Sequence, residues 1–227
     1  MCNTISVLVL RLEGVLQSWG EHSKWDYRDT AVFPTKSGIV GLLGCALGIP
    51  YGDQELVALG DRLSIAVRAD RKGTLLRDYH TVSSTRLLNA MNKHRGKEGQ
   101  VATIVTNRFY LQDAYFTVFL VGDRDLLLKL ESALHRPVWP VFLGRKSCVP
   151  SRPVFDGTVN EFESIGTAFK VVPSPDRRDK TILFEVDKDL ASGLNGSVLC
   201  RNDVLLDTCG IVRSYGSRFV VRGVLTD

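Results

Sequence analysis

The order of apolar segments predicts an α+β fold. Three observations carry that expectation. A β-branched run, 4-TISVLVLRL-12, leads into an apolar helix at 35–48 and then an alternating strand, 62-RLSIAVRA-69. A second strand–helix–strand set follows at 108–143. Between the two sets lies a polar, basic segment, 84–107, flanked by strand-like runs at 76–83 and 108–121. Strand, helix, strand, long hairpin, strand, helix, strand is the split βαβ order of a ferredoxin-like (RRM-like) domain carrying a long β-hairpin insertion. A small β-rich C-terminal appendage is expected after it.

Each element has a local reason. Residues 4–12 read as a central strand because nearly every position is apolar. Residues 13–34 are polar and aromatic and are expected as a connecting loop. Pro34 and Thr35 open the first helix, and Gly48 and Pro50 close it. A short helix is expected at 53–60. The amphipathic helix at 123–135 has Asp123 as N-cap and Leu127, Leu130 and Leu134 on one face. A strand at 138–143 should follow, ending in the glycine-basic turn 144-GRKSCVPSR-152. Beyond a polar linker at 173–180, strands are expected at 181–186, 197–201 and 218–225. The expected division is 1–156 for the main domain and 157–227 for the appendage.

Composition narrows the function classes. At 227 residues with 44% hydrophobic content, the chain has the material for one sizeable core. Five scattered cysteines with no CxxC spacing fit a reducing, cytoplasmic setting and predict no zinc and no other metal or cofactor. The N-terminal apolar run is interrupted by Arg11 and Glu13, so it is expected as a strand and not as a signal peptide or membrane anchor. Net charge is +4, but residues 71–108 hold eight Lys and Arg against two acids. That segment is therefore +6, and the remainder is slightly acidic. The 144–152 turn adds Arg145, Lys146 and Arg152 without an acid. Positive charge gathered on projecting elements is the footprint of phosphate binding.

Four motifs bear on the chemistry. In 33-FPTKSGIVGLLGCALGI-49 the lysine precedes the glycines, the reverse of a P-loop. Each glycine inside a helix costs about 0.5–1 kcal/mol against alanine, so the stripe needs a packing reason. The helix start, with Lys36, Ser37 and Gly38, offers donors and a cation as an anion site. In 76-LRDYHTV-82, Tyr79 and His80 beside Arg77 either stack and hydrogen-bond within the hairpin or act as acid and base on RNA. Asp26, Asp29, Asp78 and Asp113 lack the spacing of a metal nuclease. Trp19, Trp25, Tyr27 and Phe33 either stack on bases or close the core.

Five segments in order, LRLEGVLQSWG (10–20), FPTKSGIVGLLGCALGI (33–49), LRDYHTV (76–82), YLQDAYFTV (110–118) and FLGRKSC (142–148), resemble the CasD family. These are the Cas-five-type RAMP subunits of the type I-E CRISPR surveillance complex, Cascade. The resemblance covers roughly residues 8–156 and excludes the hairpin tip. It implies a ferredoxin-like body with a thumb hairpin at about 78–112. It also implies a non-catalytic subunit that caps the 5′ handle of CRISPR RNA. Its implied partners are the large subunit CasA, the backbone subunit CasC and, through the complex, target DNA. On that basis Lys36, Ser37, Gly144, Arg145 and Lys146 are candidates for handle phosphates, and Arg86, Arg95 and Arg108 for the backbone at the handle–spacer junction. Arg77, Tyr79 and His80 complete the RNA-binding set. A sister branch in type I-C systems cuts precursor RNA with Tyr, His and Lys residues. The alternative is therefore a metal-independent endoribonuclease using Tyr79 and His80.

Overall fold

The structure, a computed structural model, describes residues 4–88, 100–174, 181–208 and 213–225. Its body is one antiparallel sheet. The first strand, β1 (Ile5–Glu13), pairs with β7 (Tyr115–Val121), which pairs on its other side with β4 (Ser64–Arg71). Side chains alternate across these strands. Leu8, Leu10 and Leu12 face a core shared with the helices α1 (Lys36–Leu47), α2 (Glu55–Asp61) and α3 (Arg124–His135). Val7 and Val9 face a second core, closed by Ile165, Ala168 and Phe169 of α4 (Ile165–Val171). Among the described residues no helix is long and apolar enough to cross a membrane.

Helix α1 starts and stops where the sequence predicts. The Thr35 hydroxyl accepts from the Gly38 N–H, and Gly48 closes the helix in the left-handed conformation. The glycine stripe has separate causes along its length. A Cβ on Gly38 would lie 2.9 Å from the Trp19 ring, and one on Gly44 would lie 2.5 Å from Leu56. Gly41 has nothing within 4 Å of that position and borders an open cleft. In α3, Leu126, Leu127, Leu130 and Leu134 are buried as the periodicity requires, but Asp123 makes no side-chain cap bond. It pairs with Arg62 instead, 3.1 Å away.

Residues 138–143 form no strand, contrary to expectation. Pro137 and Pro140 remove ladder donors. The Val138 and Trp139 N–H groups are committed elsewhere, donating to the Ala46 and Cys45 carbonyls at the end of α1. The edge beside β1 is filled by later chain: Arg11 N–H donates to the Val154 carbonyl, and β8 (Asn160–Phe162) pairs with Ile5–Val7.

The C-terminal strands lie close to their expected positions and continue the body sheet. On the other side of β4, β9 (Ile182–Asp187) pairs antiparallel with it, β11 (Ser214–Leu225) pairs with β9, and β10 (Ser197–Asp207) forms the edge. The strand order is β10-β11-β9-β4-β7-β1-β8.

A second sheet is built on the basic segment. Strands β5 (Thr74–Ser84) and β6 (Ala102–Gln112) pair without a break from Thr74 opposite Gln112 to Ser84 opposite Ala102. Inside the expected loop 13–34, β2 (Leu16–Gln17) and β3 (Tyr27–Arg28) add to β6. The single strand expected at 108–121 is two. Asp113, with φ +56°, turns the chain between β6 and β7, and Gly73, with φ +72°, does the same between β4 and β5. These two residues at the hairpin root redirect the chain from one sheet to the other.

A Cβ on Gly73 would meet the Gln112 carbonyl at 2.6 Å in an already left-handed residue. Gly73→Ala should therefore lower stability by about 1–3 kcal/mol. Gly41→Ala, in open space, should raise it by about 0.5–1 kcal/mol. Urea unfolding of both variants checks the pair.

Candidate nucleic-acid interface

The candidate residues fall into three places. The first is the hairpin. Adjacent residues on a strand project to opposite faces. Arg77 and Tyr79 share one face of β5, and Asp78 and His80 share the other. Arg77 donates through Nε and Nη2 to the Asn107 side-chain oxygen, at 2.9 and 2.7 Å. His80 Nδ1 lies 3.6 Å from the Asp78 carboxylate. Arg108 Nε donates to the Thr106 hydroxyl, and Arg86 is exposed near the end of β5. Arg95 lies outside the described residues.

The second place is the cleft between α1 and the segment 139–149, with a volume of 660 Å³. It brings together Ser37, Gly144 and Lys146. Gly144 has φ +87°, and a Cβ there would overlap the Ser18 carbonyl at 1.8 Å, so the turn can lie against residue 18 only with glycine. Lys146 is exposed. Arg145, its neighbour, is engaged inward. Its guanidinium donates to the carbonyls of Arg28, Asp29 and Phe109 and lies 4.9 Å from the centre of the Tyr110 ring. Expected as a phosphate cation, Arg145 fastens the 28–29 segment to the hairpin base. Sequence reasoning did not single out Tyr51, Trp139 and Arg213, which also line this cleft. The Arg213 guanidinium sits 4.6 Å from the Tyr51 ring centre. Only their aromatic and basic character hinted at this. Burial pushes the Cys45 thiol up, against the opposing charge of Lys146.

The third place is the start of α1, and here the expectation needs correction. The Lys36 N–H donates to Asp203 Oδ2 at 2.8 Å. A carboxylate of the chain itself therefore takes part of the expected anion site. The Lys36 side chain borders a shallow basin with Ser64, Asp187, Lys188, Asp189 and Arg218. Lys36 and Ser37, adjacent in sequence, thus serve different surfaces. The aromatics divide as well: Trp19 and Phe33 are core residues, while Trp25 and Tyr27 are 59% and 47% exposed.

Asp203 belongs to a buried charge network. Arg218 grips it in a bidentate pair, 2.7 and 2.8 Å, and also reaches Asp187. Arg201 joins Glu21 to Glu185. Burial alone would push the Asp203 carboxyl up. The Arg218 hydrogen bond and charge, the Arg201 charge and the Lys36 N–H overcome it and hold the group below the ordinary carboxylate range. Among the described residues no cluster of three His, Cys, Asp or Glu side chains could hold a metal ion.

The profile of the family described as CRISPR-associated protein (Cas_Cas5) matches residues 7–220. The chain belongs to that family. It is 41% identical over 165 residues to the Escherichia coli protein named CRISPR system Cascade subunit CasD, covering 67% of this chain and 71% of that one. It superposes on a chain of a solved CRISPR RNA-guided surveillance complex with a TM-score of 0.77 and 30% identity, covering 96% of this chain and 89% of that one. A solved Cas protein matches with a TM-score of 0.67 and 32% identity, covering 96% and 94%.

The Asp203 carboxylate has a depressed folded value, so its stabilisation is present above the unfolded value of about 3.9 and is lost as pH falls through the folded one. Asp203→Asn should remove that acid-limb dependence. At neutral pH it should cost about 3–5 kcal/mol, because Arg218 loses its bidentate carboxylate inside the buried cluster. Denaturant unfolding at a series of pH values, wild type against variant, reads both effects.

Proposed function

We propose that this chain is a non-catalytic subunit of a type I-E Cascade surveillance complex that binds and caps the 5′ handle of CRISPR RNA and helps assemble the complex for DNA targeting. The observation that carries the proposal is the continuous β5–β6 hairpin, built on the +6 segment, in a chain related to a Cascade subunit. The order β1, α1, β4, hairpin, β7, α3 supports a ferredoxin-like body with this hairpin as the thumb. Lys146, Ser37 and Gly144 hold handle phosphates at the mouth of the cleft, and Lys36 contributes from its separate surface at the start of α1. Arg86, Arg95 and Arg108 hold the strand along the thumb, with Arg77, Tyr79 and His80 at its base. CasA and CasC are the neighbouring subunits, and target DNA is reached through the assembly in the cytoplasm. The endoribonuclease alternative is disfavoured by strand geometry. Tyr79 and His80 project from opposite faces of β5, so they do not flank one scissile phosphate.

Binding of single-stranded handle RNA to the full chain should weaken steeply with salt, as counterion release requires. Lys146→Ala should reduce the slope of log K against log salt by about one unit and weaken binding at low salt. Unchanged affinity and slope would remove Lys146 from the site. Repeat RNA incubated with the protein, with or without EDTA, should stay intact. EDTA-resistant cutting that His80→Ala abolishes would establish the nuclease instead.

A further inference from the structure

Phosphate contacts position a strand and carry no sequence information. The second sheet offers something to hold bases. Its register sets Tyr79 of β5 opposite Asn107 of β6, and Tyr27 of β3 opposite the same Asn107. Laterally paired residues project to one face, so Tyr79, Asn107 and Tyr27 form a row across three strands. With strands about 4.8 Å apart, the tyrosines stand roughly 10 Å from each other with the amide between them. They are 63% and 47% exposed. Tyr27 is braced by Phe109, ring centres 4.9 Å apart.

The amide between them is fixed by Arg77, whose Nε and Nη2 both donate to its oxygen. A guanidinium has donors only, so the oxygen must face Arg77 and the NH₂ is left as a donor without a protein partner among the described residues. The face therefore presents two aromatic rings, one oriented donor and one cation. Strands β3, β5 and β6 add no carboxylate to it, because Asp78 projects from the other side.

We propose that this row is a base-stacking face for single-stranded RNA. Tyr27 and Tyr79 each stack on a nucleobase, Asn107 donates to a base-edge acceptor, and Arg77 positions Asn107. The proposal rests on the RNA-binding function above and adds Tyr27 and Asn107 to it. Among the described residues, the Arg77 cation and the lack of a carboxylate from these three strands on this face favour a polyanion over a protein segment.

Two measurements on the protein as it exists test it. The first irradiates the assembled complex, with its RNA, in the ultraviolet and maps nucleotide–peptide adducts by mass spectrometry; adducts should fall on Tyr27 and Tyr79. The second titrates the full chain with single-stranded RNA carrying the 5′ handle of its own repeat. Tyr27→Ala and Tyr79→Ala should each weaken binding about tenfold, whereas Tyr79→Phe should stay close to wild type. The salt slope should not change, since stacking releases no counterions. Both alanine variants binding as wild type, while Lys146→Ala is weakened, would overturn the stacking face and leave the RNA-binding function standing. Protein–protein adducts at these tyrosines, with no nucleotide adduct, would overturn it in favour of a protein partner. Wild-type protein with no affinity for the RNA would overturn both.

Discussion

The pair formed by Asp203 and Arg218 is the constraint on which the arrangement of this protein depends. Asp203 lies on β10, yet one of its oxygens takes the first N–H of α1. Arg218 on β11 grips the same carboxylate and reaches Asp187, whose other oxygen accepts from the Ile65 N–H on β4. Through Arg201 the network extends to Glu21 in the segment before α1. One buried cluster thus ties the C-terminal strands to the start of the first helix and to the middle of the sheet. Buried ion pairs contribute little net stability against a well-packed apolar alternative. Their consequence is geometric: an uncompensated member is so costly that the strands and helix hold one arrangement.

That arrangement decides where positive charge is available. Of the basic residues near the start of α1 and the glycine turn, Arg145, Arg201 and Arg218 are committed to the chain's own carbonyls and carboxylates. Lys146 is exposed at the mouth of the cleft. The long hairpin, held at its root by the left-handed Gly73 and Asp113, is built on the +6 segment.

What the sequence made legible follows from what local physics encodes. The ends of α1, the leucine face of α3 and the three C-terminal strands were readable because caps and periodicity are local signals. The 138–143 error came from a competing demand: two N–H groups there close the end of α1, which no local pattern announces. The split at Asp113 was missed because a positive φ at aspartate leaves no mark in a hydrophobic run. The engagement of Arg145, expected as a phosphate cation, with three backbone carbonyls was not legible, since composition does not show which way a guanidinium faces. The Tyr27–Asn107–Tyr79 row was invisible because it depends on the register of a two-residue strand inside an apparent loop.

The most direct test of the central claim is to purify the tagged protein from cells carrying its own CRISPR locus and sequence the RNA that comes with it. Discrete short RNAs sharing one 5′ handle, recovered together with other subunits, are the predicted result. Recovery of the subunits without RNA, or of RNA with no common 5′ end, would contradict a role in capping the handle.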